Sequence, residues 1–221
     1  MTMKLNEAQI NTIDAVLEKY RVVYIDYKFE ILDHIATEVE ELMEEKQESF
    51  ESAFAVVLEK WQPKFKIASG TTFGYLWEIP EILMQKVKKL YWRKMILLTL
   101  ASFILMGILL LMKKYLAANT QGVVCLLIAL LSIQFIGYVK IRLSKYKTSF
   151  GFLYKQQFLA FLFMYFIPIH LLINDEKLFE RFGDASFPIF FMIATLIIAP
   201  IMNFKFYKKH FVQIKRSTKL I

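Results

Sequence analysis

Glu30, His34, Glu38 and Glu41 are spaced i, i+4, i+8 and i+11. On a helix this spacing gathers an imidazole and three carboxylates on one face, and those are the ligand types that divalent cations accept. A single helix offers one ion only two or three of them, and His170 and His210 are distant in sequence. No metal site and no cofactor is therefore expected. Asp33, His34, Glu38 and Glu41 read instead as a solvated acidic face open to a protein partner, with Asp33 and His34 also placed to form a seam with the following helix.

The remaining reactive types form no enzyme constellation. The apolar segments hold one histidine, His170, with no acid in its stretch to orient it, so serine-type hydrolysis has no base-and-orienter pair. A His-Glu-x-x-His motif, a phosphate loop and a dinucleotide fingerprint are all missing from the sequence. Cys125 is the sole cysteine, which excludes an intrachain disulfide. Catalysis is not expected. Within the apolar segments the polar inventory is Thr99, Ser102, Ser132, Gln134, Tyr165, His170 and Thr195, with Asn203 near an end and no acid or lysine. Gln134 and His170 are the candidates for hydrogen bonds between helices, worth ~0.6 to 2 kcal/mol in lipid. Pro168 and Pro200 each remove one backbone donor and free a carbonyl.

These residues belong to four nearly uncharged stretches, Met95–Met112, Gly122–Val139, Phe158–Ile173 and Phe187–Phe204. Each is close to the length of helix that crosses ~30 Å of hydrocarbon. Five basic residues precede the first stretch, five fill the second loop and six follow the last. The first loop has only Lys113 and Lys114, and in the third loop four acids outweigh Lys177 and Arg181. Basic residues near span ends stay in the cytosol, which predicts cytoplasmic N- and C-termini in a bacterial inner membrane. Lys88, Lys89, Arg93, Lys94, Arg142, Lys145, Lys208 and Lys209 are the candidates to meet anionic lipid headgroups. Tyr91, Trp92, Tyr115, Tyr138, Tyr154 and Tyr207 lie near span ends, where amphipathic rings prefer the interface. Residues 1–20 lack a basic start followed by an apolar core, so the N-terminus is expected to be retained.

Charge divides the chain as hydropathy does. Residues 1–83 carry a net −8 and residues 84–221 a net +16, so the overall pI near 9.4 reflects basic residues beside the membrane and not a nucleic-acid-binding domain. The predicted fold is all-α, a small three-helix domain over 1–65 followed by a four-helix transmembrane bundle. In the domain, Leu5–Tyr20 carries Ile10, Ile13, Val16, Leu17 and Tyr20 at helical spacing, with Asn6 and Gln9 set as a capping box. Tyr24–Lys46 carries Ile31, Leu32, Ile35, Val39, Leu42 and Met43, while Ser49 caps a third helix bearing Phe50, Phe54, Val57, Leu58 and Trp61. Residues 66–79 lack periodicity and read as a connector. Residues 80–94 form a juxtamembrane helix continuous with the first span, 95–204 hold the four spans (95–112, 122–139, 158–173 and 187–204), and 205–221 form a basic tail.

The run Phe29-Glu30-Ile31-Leu32-Asp33-His34-Ile35-Ala36-Thr37-Glu38-Val39-Glu40-Glu41-Leu42, followed by Ser49-Phe50-Glu51-Ser52-Ala53-Phe54, resembles the HAAS-type signalling and permease-prefix helical modules of bacterial membrane proteins. The likeness covers about residues 5–65. It implies a non-enzymatic regulatory or accessory role beside a transporter subunit or a regulator. The acidic domain is expected to engage that membrane or cytoplasmic partner and to dock on the basic segments, masking them from anionic lipid. An alternative expectation is a homo-oligomeric transporter or channel with a weakly polar pore of Thr99, Ser102, Ser132, Gln134 and His170.

Overall fold

The computed structural model describes residues 4–70, 77–174 and 187–217, and the fold is all-α apart from one short pair of strands. Helices α1 (Glu7–Lys19), α2 (Ile25–Lys46) and α3 (Phe50–Trp61) form the N-terminal domain. The capping box starts α1, with Gln9 N–H donating to Asn6 Oδ1 and Asn6 N–H to Gln9 Oε1, both at 2.9 Å. Gln47 reverses the chain after α2 with φ of 54°, and Ser49 Oγ accepts from Ser52 N–H to start α3. Ile13, Leu17, Ile31, Ile35, Val39, Phe54, Val57 and Trp61 close one buried core, so the helical spacing had placed the apolar faces correctly.

In place of the connector expected over 66–79, the described residues at its two ends form strands. Ile67–Gly70 (β1) pairs antiparallel with Trp77–Pro80 (β2), Ile67 opposite Pro80 and Gly70 opposite Trp77. Four-residue strands are too short to leave a periodic signal, and their stability comes from backbone pairing and from Ile79, which is fully buried. Thr71, Thr72, Phe73 and Gly74 lie outside the described residues.

The C-terminal region consists of α4 (Glu81–Leu111), a short α5 (Lys113–Ala118), α6 (Thr120–Arg142), α7 (Ser149–Asn174) and α8 (Phe187–Ser217). The 31 residues of α4 and of α8 each extend ~46 Å, well past the apolar windows they contain. The juxtamembrane segment is thus one helix with the first span. The tail from residue 205 is likewise helical to Ser217, because Phe206, His210 and Ser217 continue the buried stripe of α8. The third-loop charges, Lys177 and Arg181 among them, and Lys219 lie outside the described residues.

Side chains such as Ile96, Leu100, Ile104, Ile133, Phe163, Phe166 and Ile201 project outward from α4, α6, α7 and α8, more than half exposed. Such a belt would cause aggregation in water and is the outer surface that hydrocarbon solvates. Four helices of this length and composition make the chain a multi-pass membrane protein.

The N-terminal domain rests on one end of the bundle through the first turns of α2. Ile25 N–H donates to the Lys147 carbonyl at 3.0 Å, and the Asp26 carboxylate accepts from both N–H and Oγ of Ser149, the first residue of α7. Asp26 thereby supplies negative charge at a helix N-terminus that also carries its own Thr148 cap. Tyr24 stands edge-on to Phe152, and Lys86 of α4 pairs with Glu30 at 2.7 Å while lying over the Tyr27 ring. Burial, reinforced by the Asp26 carboxylate, pushes the Tyr24 phenol up to about 12, so it docks as a neutral ring.

Candidate functional site

Along α4 the buried positions run Leu83, Val87, Tyr91, Lys94, Leu98, Ser102, Met106 and Leu109. Their spacing of three and four is that of an inward stripe, and Lys94 falls on it. The residue is 7% exposed, and its ammonium donates to Gln157 Oε1 of α7 and Asn203 Oδ1 of α8, while the centre of the Phe206 ring lies 4.3 Å away. Among the described residues no carboxylate pairs with it. A lone buried ammonium is costly, and here amide oxygens and an aromatic quadrupole replace both water and counter-ion.

The hydrogen bonds continue inward with one polarity. Asn203 Nδ2 donates to Gln134 Oε1 at 2.9 Å, Gln134 Nε2 donates to Tyr165 Oη at 2.8 Å, and the Tyr165 hydroxyl donates to the Leu196 carbonyl at 2.9 Å. Because Lys94 can only donate, Asn203 must turn its oxygen toward Lys94 and its amine toward Gln134, which fixes every amide beyond it. The far end has its own cause. Proline at 200 has no N–H to give Leu196, four residues earlier on α8, so the freed carbonyl is available to Tyr165. Gly137 plays a complementary part on α6, since a Cβ there would collide with the Tyr154 ring, whose hydroxyl donates to the Gln134 carbonyl at 3.0 Å. One lysine, three amides and two tyrosines therefore tie all four long helices together.

No family model, curated protein or solved structure matches this chain. The site is read from its own chemistry. A carboxamide cannot accept a proton at one end and release it at the other without tautomerising, so the Asn203–Gln134 segment breaks proton relay along these hydrogen bonds from Lys94 to Tyr165. What the network does well is to specify register, because each of its hydrogen bonds joins two different helices.

The expected site residues are dispersed by this arrangement. Glu30 faces α4 through Lys86, whereas Glu38 faces α3 and accepts from Lys60 Nζ and Trp61 Nε1 at 2.9 and 3.1 Å. Asp33, His34 and Glu41 are exposed, so the seam between α2 and α3 is made by Glu38 and not by Asp33 and His34. Gln134 does bond across helices, but His170 is exposed and bonds within its own helix to Asn174. Of the expected pore residues, Gln134 and Ser102 are buried inside the bundle while Thr99, Ser132 and His170 are on its outside, so one copy gathers them into no single pore.

Lys88, Lys89, Arg93, Arg142, Lys145, Lys208 and Lys209 are exposed at the end of the bundle that carries the N-terminal domain, open to headgroups. Lys94 is the exception: adjacent in sequence to Arg93, it is turned inward by the helical period. The sequence carried a usable sign of this, the i+3/i+4 register of Lys94 with Val87, Tyr91 and Leu98. Asn203 stands in the same register with Leu196, Ala199 and Phe206 of α8. His210 is a second buried polar group of this kind, with Nδ1 2.8 Å from Thr148 Oγ1 beside the docked domain.

Proposed function

We propose that this is a non-enzymatic regulatory or accessory membrane protein whose acidic N-terminal domain meets a partner and passes that event to the bundle. The observation that carries the reading is the Asp26–Ser149 contact, in which a side chain of the domain caps the first turn of a membrane helix. A cap is a coupling device, because removing it costs ~0.5 to 2 kcal/mol at the very turn where α7 begins. With α2 docked through its first turns, Asp33 and Glu41 remain exposed farther along the same helix and form the acidic surface offered to the partner. The likeness of residues 5–65 to HAAS-type and permease-prefix modules supports the same role. The charge distribution supports a bacterial inner membrane with both termini cytoplasmic. The amide break in the polar network supports accessory over transport function.

The test is purification of the full chain from native membranes in mild detergent. A stoichiometric membrane or cytoplasmic partner should co-purify and be lost with the Asp33→Lys/Glu41→Lys pair. Asp26→Ala should raise hydrogen exchange at both the start of α2 and the start of α7. Proteoliposomes of the purified chain that carry solute flux, or exchange at α7 unchanged by Asp26→Ala, would overturn the reading.

A further inference from the structure

Beside Tyr154, on the outer face of the bundle, a groove of about 430 Å³ runs between α6 and α8. Gly137 and Tyr154 form its floor, the missing side chain at 137 leaving room for the Tyr154 ring to pack against the α6 backbone. Its walls are Ile133 and Ile136 on one side and Ile201 and Phe204 on the other, all half exposed or more. The groove is therefore open to the bilayer along its length. It changes character at one end only. Lys140 stands there, one turn beyond Ile136 and Gly137, and Lys208 lies 4.8 Å over the ring of Phe204, one turn beyond it on α8. Both helices run toward the end of the bundle that carries the N-terminal domain, so the two ammonium groups share that end. Among the described residues neither has a carboxylate partner.

We propose that this groove holds one anionic phospholipid of the surrounding bilayer, its acyl chain along Ile133, Ile136 and Ile201 and its phosphodiester at Lys140 and Lys208. The apolar walls account for the chain, since a fluid acyl chain is the only apolar occupant supplied everywhere along an open, lipid-facing groove. Unpaired basic charge at one end accounts for the headgroup, which must be negative and must enter from that leaflet. The occupant also touches the polar network, because Gln134 and Tyr154 line the same groove. A bound lipid would thus brace α6 against α8 at the level of the Asn203–Gln134 bond. This inference rests on the membrane character of the four helices and stands whether or not the chain is regulatory.

The full chain in lipid-free detergent, titrated with phosphatidylglycerol or with phosphatidylcholine of identical chains and read by native mass spectrometry, tests it. One phosphatidylglycerol per chain should saturate, bound about tenfold or more tightly than phosphatidylcholine. Lys140→Gln/Lys208→Gln should erase that preference with melting temperature unchanged, and Ile201→Trp, which fills the groove, should weaken both lipids. Ile133→Trp serves the same purpose from the opposite wall if the first variant fails to fold. Equal binding of the two lipids would overturn the assignment, as would full competition by glycerol phosphate, which has the headgroup without the chain. A dimer that binds no lipid would show instead that a second copy covers the groove.

Discussion

The two halves of this chain turn opposite surfaces to their surroundings, and among the described residues only the bundle buries polar side chains within its core. The N-terminal domain buries Ile13, Ile35, Val39 and Trp61 and turns its acids outward, whereas the bundle buries Lys94, Gln134, Gln157 and Asn203 and turns isoleucine and phenylalanine outward. The solvent explains the inversion. In water, removing apolar area drives association at ~25 cal/mol per Å², and nearly any well-filled core suffices. In hydrocarbon that drive is absent, so helices select their neighbours by close packing and by polar groups with nowhere else to bond. The polar residues in the bundle are accordingly its most specific contacts.

The largest effect should come from breaking the bundle's network at its branch point. Asn203→Leu takes away one of the two amide acceptors of the Lys94 ammonium, leaving only Gln157, and strands Gln134 Oε1, and should destabilise the bundle by about 3 to 5 kcal/mol. Lys94→Met removes the buried charge but leaves the neutral oxygens of Gln157 and Asn203 without their donor, and should cost less, about 1 to 3 kcal/mol. Thermal unfolding in detergent ranks the two. If Lys94→Met proves the more damaging, the lysine is itself a source of stability and the network is organised around it, not around register.

Next in size is the mirror experiment in the aqueous half. Ile35→Ala leaves a cavity in a core that shares no buried residue with the bundle clusters, and should cost the domain about 3 kcal/mol while sparing α6 and α8. Hydrogen exchange resolves the two regions in one sample. Equal loosening of both would mean that the Asp26 and Glu30 contacts fuse them into one cooperative unit.

The two solvents also decide what was legible in the sequence. The amphipathic stripes of α1 to α3, the caps of α1 and α3 and the four apolar stretches could all be read, because each is a local pattern. The strand pair at 67–70 and 77–80 could not, being too short for a period. The inward turn of Lys94 was hidden for a different reason: basic residues at span ends usually serve topology, and only its register with Tyr91 and Leu98 separates it from its exposed neighbour Arg93. The Asp26–Ser149 cap joins residues 123 positions apart, and such a contact has no local signature.

The smallest expected effect sharpens the contrast at its electrostatic end. Glu38 is the one acid of the α2 row bonded across the domain's own helix interface. Partial burial disfavours its charge, but hydrogen bonds from Lys60 and Trp61, with Lys64 nearby, outweigh that and hold the carboxyl below its ordinary 4.5. A group whose pKa is lower in the folded state binds more protons when unfolded. Its stabilisation is therefore fully present above the ordinary carboxylate range and lost as pH falls through the folded value. Glu38→Gln keeps an acceptor for Trp61 but removes the charge, so the gap between wild type and variant should be small at neutral pH, within the ~1 kcal/mol usual for accessible pairs. It should close as the solution is acidified. A gap that widens in acid would show the carboxyl to be favoured in its neutral form, and the α2–α3 seam would then belong with the buried amides of the bundle and not with the charged exterior of the domain.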